Sequence, residues 1–126
     1  MTEPSRFDPS FLRAVVLVCA YKAKAMERAE VALLCLALTG REFTAANLTG
    51  EITRGSRTIA GCATGALASM GLIACVGRCK SPNPAANGRR LDVWRLADGK
   101  GESARTLLRR YGVDEPPTIR GQGELW

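Results

Sequence analysis

Histidine is absent from all 126 residues. Its absence removes the commonest general base, the Ser-His and Cys-His nucleophile pairings and most zinc sites together, so an enzyme is not expected. Acidic residues do not supply a substitute: Glu27 and Glu30 stand three apart beside Arg28 on a predicted helix and read as surface charges. A phosphate loop is missing as well, because Gly61-Cys62-Ala63-Thr64-Gly65 lacks the lysine that would follow and does not lead from a strand into a helix. No apolar run reaches the roughly 18 to 20 residues of a membrane span, since Arg13 and Lys22 bracket the longest one. The leading Met1-Thr2-Glu3-Pro4-Ser5 has an acid where an export signal has bases, so a cytoplasmic protein is expected. The five cysteines (Cys19, Cys35, Cys62, Cys75, Cys79) are odd in number and fall mostly in apolar helix and strand, a pattern of reduced thiols rather than a disulfide framework. Cys75 and Cys79 are close enough to share a metal, but a structural zinc takes four ligands, and the other thiols lie on helices predicted to be buried. No cofactor or metal is expected.

What is present fits one domain with tails: 46% hydrophobic and 24% charged residues are ordinary for a folded chain of this length. The net charge of +6 is unevenly placed. Seven bases (Arg54, Arg57, Arg78, Lys80, Arg89, Arg90, Arg95) and one acid (Asp92) lie between residues 54 and 95, while the rest of the chain holds eleven of each sign. The whole excess therefore sits on one stretch, the footprint expected of a polyanion-binding surface; a solvated basic face kept for solubility would spread it more evenly.

Taken in order, residues 1–8 read as a flexible lead-in, and Asp8-Pro9 as a helix start, with the acid as cap and proline in the first turn. A helix over 9–24 follows, apolar round much of its circumference through Phe11, Leu12, Val15, Val16, Val18 and Cys19. A second helix spans 26–38. Thr44 caps a short helix to about residue 51 with Leu48 and Ile52 turned inward, and 53–55 is a turn. Ser56 then caps a longer helix over 56–70, whose core face is Ile59, Ala63, Leu67 and Met70, and Gly71 ends it. Residues 72–78 and 90–97 read as two strands, separated by the turn-forming 81–88. Residues 98–101 break the strand, a helix covers 102–111 with Leu107, Leu108 and Tyr111 on its apolar side, and 112–126 reads as an extended or disordered tail ending in Leu125-Trp126.

The fold class expected is mainly α with a small β-hairpin (α+β). Short helix, turn, longer helix and basic hairpin, with Gly71-Leu72-Ile73 at the join and Trp94-Arg95-Leu96-Ala97-Asp98-Gly99 leading into a closing helix, together resemble the winged helix-turn-helix superfamily over roughly residues 26–111. The resemblance implies a single domain over 9–111, its core at 26–97 and extra helices at either end. It also implies that helix 56–70 enters the major groove of duplex DNA, with Arg57 reading guanine and Thr58, Gly61 and Thr64 on the groove-facing side. Arg54, Arg78, Lys80, Arg89 and Arg90 would hold phosphates or enter the minor groove. Gly61 and Gly65 each cost roughly 1 kcal/mol in helix propensity, which points either to close helix packing inside the protein or to close approach of an outside surface.

The expected function is that of a small transcriptional regulator; the alternative is a winged-helix protein-interaction module with a protein partner. A homodimer is expected through Phe11, Leu12, Val15, Val16, Leu107, Leu108 and Tyr111, the competing reading being that the first helix caps the monomer's own core. The basic set of 14 arginines and 4 lysines, with many alanines, is that of a GC-rich bacterial or phage genome.

Overall fold

A chain whose second helix ends in Val-Ala-Leu-Leu-Cys-Leu-Ala has no polar face there to leave in water, so that half of the helix must be surrounded. The computed structural model, which describes residues 7–19, 24–48, 52, 57–80 and 90–117, is built in this way. Helices α1 (Pro9–Cys19), α2 (Ala25–Ala37), α3 (Arg57–Ser69) and α4 (Gly101–Arg110) are joined by a 3₁₀ turn (Ala45–Asn47) and a hairpin of strands β1 (Ile73–Lys80) and β2 (Arg90–Leu96). The described residues thus form an α+β fold, four helices and one two-stranded antiparallel sheet. Every residue of α2 from Arg28 to Ala37 is buried, and α1, α3, α4 and β2 pack around it.

That centrality corrects one expectation. Glu30 is not a surface charge: it is buried, and the Tyr111 hydroxyl just beyond α4 donates to its carboxylate. Arg28 is buried as well, its Nε donating to the Ile52 carbonyl at 3.2 Å. A buried charge needs such partners, because an unpaired one costs several kcal/mol.

α1 begins as expected. The Ser10 amide donates to Asp8 Oδ1 at 2.8 Å, and Pro9 occupies the first turn. The lead-in is more than a tether, however, since Phe7 is buried and stacks on Phe11 with ring centroids 5.8 Å apart. Phe11, Val15 and Cys19 face the chain's own core, as does Leu108 of α4. Of the residues expected to form a dimer surface, Phe11, Val15 and Leu108 are therefore interior, while Leu12, Val16, Leu107 and Tyr111 are partly buried against the same core. Most of the apolar surface of α1 thus packs against the chain's own core, with Leu17 left exposed.

The 3₁₀ turn is held by a reciprocal cap: the Ala46 amide donates to Thr44 Oγ1 at 3.2 Å and the Thr44 amide to Asn47 Oδ1 at 2.8 Å. The longer helix expected here, to residue 51, is described only as far as this turn, with Ile52 buried beyond it. The Ser56 cap and residues 53–55 lie outside the described residues.

α3 passes into β1 through a tight join. The Gly71 amide donates to the Ala68 carbonyl at 2.9 Å and the Leu72 amide to Leu67 at 3.1 Å, a Schellman end that requires the positive φ of 76° that glycine adopts freely. Because the helix has already begun to end at Met70, that side chain is half-exposed rather than on the core face expected for it; Ala63 and Leu67 are buried and Ile59 is partly so. Strands β1 and β2 pair from Ile73↔Leu96 to Lys80↔Arg90, with Val76 extra between the Cys75↔Trp94 and Gly77↔Val93 rungs. This bulge turns Val76 outward. Phe43, on the connection after α2, forms a bridge with Trp94, exchanging both backbone bonds at 2.9 and 2.8 Å. α4 ends like α3, with Gly112 at φ 83° and the Val113 amide donating to Leu108 at 2.9 Å. Val113 is buried in the core, so the expected tail starts later than Gly112; residues 118–126, with Leu125 and Trp126, lie outside the described residues.

Candidate nucleic-acid interface

The 3.6-residue period of α3 sorts its side chains into two sets. Ala63, Thr64 and Leu67 turn inward, while Thr58, Gly61, Cys62, Gly65 and Ser69 form a continuous exposed stripe. Among the described residues neither glycine is needed for packing inside the chain: a Cβ built at Gly61 or Gly65 would meet nothing there within 4 Å. Of the two explanations for these glycines, close packing inside the protein therefore has no support among the described residues.

Period-two alternation does the corresponding work on the hairpin. The Arg78↔Asp92 rung and Trp94 look toward α3 across an open groove of about 420 Å³, which Ala45, Gly61, Thr64 and Leu91 also line. Thr64 lies at its base. It is buried, and its hydroxyl donates to the Gly61 carbonyl at 2.8 Å, so it is a helix-bonded wall rather than the outward recognition residue expected from the sequence. Arg78 is exposed, and its Nε lies 3.3 Å from Asp92 Oδ1 on the paired strand. The one acid of the basic stretch is thus set against one of its bases. On the root side of the hairpin, Arg95 approaches Asp98 at 3.7 Å.

The other expected contact residues are placed as follows. Arg57 opens α3, and Lys80 and Arg90 face each other as the outermost described rung, their side chains lying outside the described residues. Thr58 is exposed on α3. Arg54 and Arg89 lie outside the described residues. Fold and register thus bring Gly61, Thr64 and Arg78 to one groove, with the Lys80–Arg90 rung two pairs further along the hairpin than Arg78↔Asp92.

Sequence reasoning missed Trp94, Asp92, Leu91 and Ala45 as groove lining. Trp94 carried a readable signal, since it stands two residues from Asp92 on a predicted strand and must share its face. Ala45 carried none, because its place depends on the Phe43–Trp94 bridge.

The thiols divide by burial. Cys19, Cys35 and Cys79 are buried, and Cys62 and Cys75 are exposed. Burial, reinforced by neighbouring Cys19, pushes the Cys35 thiol up to about 12, and burial also raises that of Cys79. No group of three or more potential metal ligands occurs among the described residues. No helix among them is long and apolar enough to cross a membrane.

This geometry stands without a counterpart to lend it a role: no protein-family model, no curated protein and no solved structure matches the chain.

Proposed function

We propose that this chain is a winged helix-turn-helix protein that binds duplex DNA, with α3 approaching a groove and the hairpin lying along the adjacent backbone, as a small regulator of transcription would. The observation that carries the reading is the coincidence of charge and shape. The net excess of +6 falls on residues 54–95, and the described residues of that segment form α3, the two strands and most of the lining of the groove between them. The open sides of Gly61 and Gly65 support it, since a helix without side chains there lets its backbone come close to a sugar-phosphate strand. The Phe43–Trp94 bridge, which adds a short third partner to the hairpin's root, is also what a winged helix calls for.

Phosphates are assigned to Arg78, Lys80 and Arg90, and a base edge to Arg57 at the start of α3. The exposed stripe of α3 is otherwise short-chained, so most of the affinity is assigned to the backbone and little to base readout. Fluorescence anisotropy with a random-sequence duplex at two salt concentrations tests this. The logarithm of affinity should fall with the logarithm of salt by about 0.9 for each neutralised phosphate. Absence of binding at low salt, or binding indifferent to salt, would falsify the reading.

A second reading, a protein-interaction module, draws on a different surface. Half-exposed Met70 and partly buried Leu107 border a groove of about 330 Å³ between the end of α3 and α4, together with Leu72, Ser103 and Thr106. A chain that fails the duplex titration yet keeps its thermal transition would favour this surface.

A further inference from the structure

We infer that Asp92 is an internal competitor for the DNA phosphate, holding Arg78 in the unbound protein and setting how strongly the hairpin engages nucleic acid without regard to sequence. The inference rests on the duplex-binding reading above and adds a residue whose role is to limit that binding. Asp92 is the one acid among seven bases in the stretch 54–95. The register sets it directly across from Arg78, and Oδ1 lies 3.3 Å from Nε, a separation at which each carboxylate–guanidinium encounter excludes a phosphate from the same edge of the fork. Both side chains line the groove between α3 and the hairpin, so the pair stands where a DNA strand would pass.

The pair is too exposed to be a structural fastening. With side chains 70% and 47% accessible, Arg78 and Asp92 are screened by water and salt, and such pairs add little to folding. A weak pair at a binding surface has a different consequence. A phosphate entering the groove must take Arg78 from Asp92 and then lie near a carboxylate that repels it, so the net attraction of this rung falls below that of the bare base. The rung two pairs further out, Lys80↔Arg90, has no acid in it.

Asp92→Asn keeps the size of the side chain and one acceptor oxygen while removing its charge. The measurement is anisotropy against a random duplex between about 50 and 200 mM salt for four proteins: the unaltered chain, Asp92→Asn, Arg78→Ala and the double variant. Asp92→Asn should bind about two- to five-fold tighter at the low-salt end, the ceiling set by an exposed ion pair, with a salt slope steeper by about 0.9. The gain should disappear when Arg78 is already alanine, because the released group is that guanidinium. An equal gain in both backgrounds means that any lost negative charge suffices, and the pairing role is overturned. An unchanged slope in Asp92→Asn overturns it too, while salt-dependent binding by the unaltered chain leaves the duplex reading standing. If the unaltered chain does not bind, both fall together. Unchanged thermal transitions in all four proteins are expected, and a loss shared by Asp92→Asn and Arg78→Ala would assign the pair to folding instead.

Discussion

Tyr111 shows how far a single hydroxyl reaches. It donates to buried Glu30 on α2 from just past the end of α4, so one bond fastens the closing helix to the centre of the fold. Partial burial, the Glu30 hydrogen bond and the carboxylates of Glu30 and Glu27 push its phenol up to about 12. A pKa raised by folding gives stability that is complete below the unfolded value near 10 and is lost as pH climbs through 12. Cys35, raised in the same direction from 9, adds a loss that begins about a unit lower. Thermal melts between pH 8 and 12 should therefore show steady destabilisation, and Tyr111→Phe should remove the part above pH 10. At neutral pH that variant should cost about 1.5 to 3 kcal/mol, since it leaves a buried carboxylate short of a donor. A melt at pH 7 indistinguishable from the unaltered chain would mean that water replaces the hydroxyl. The thiols offer a separate check: in native protein Cys62 and Cys75 should react promptly with a thiol reagent, and Cys19, Cys35 and Cys79 only after denaturation. The sequence marked Tyr111 and Leu108 as apolar and led to their being expected on a dimer surface, whereas Leu108 is buried in the chain's own core and Tyr111 packs partly buried against it. A 3.6-residue period says which side of a helix is dry, and says nothing of whether the partner is the same chain or another.

Periodicity and punctuation made the helices and strands legible, and the misses fall where a neighbour outweighs a local rule. Met70 has the spacing of a core residue, but the Schellman turn at Gly71 releases it to the surface. Thr64 has the polarity of an outward residue, but its hydroxyl is satisfied within the helix, so burial costs it little. Glu30 looked solvated because the residue meeting it lies 81 positions away. The candidate groove was half visible: Arg78 on its lining could be named from charge, whereas Trp94, Ala45 and the Arg78–Asp92 pairing follow from register. α3 also yields a trade that separates folding from binding. Gly61→Ala and Gly65→Ala meet no obstacle and should each stabilise the helix by about 0.5 to 1 kcal/mol. If this face touches DNA, the same changes should weaken binding several-fold. Raised melting temperature with undiminished affinity would remove α3's glycines from the interface.

For the whole chain, the question that burial reopens is its state of association. Among the described residues the large exposed apolar side chains are Leu17, Met70 and Val76, on α1, at the end of α3 and on the bulge of β1. Scattered single residues of this kind are ordinary on a monomer. Light scattering is therefore expected to give 13.5 kDa at micromolar concentration, with no dilution dependence. A doubled mass would instead make the outer side of α1, at Leu12, Val16 and Leu17, the surface of self-association, and a two-fold pair of sites on DNA would follow from it. The join at Gly71-Leu72 matters at this level too. Only two residues separate the last residue of α3 from Leu72, and both ends of the link are hydrogen-bonded, so the helix and the hairpin are set in phase with each other. Since strand side chains alternate with every residue, one amino acid inserted after Leu72 would turn the hairpin over, sending Cys79 into water and moving Arg78 to the far side of the sheet. A chain lengthened there by two residues would restore the faces and shift the arm outward by about 7 Å. The join is in effect a gauge: it fixes the distance between what α3 touches and what the hairpin touches, and so the width of whatever the two can grip at once.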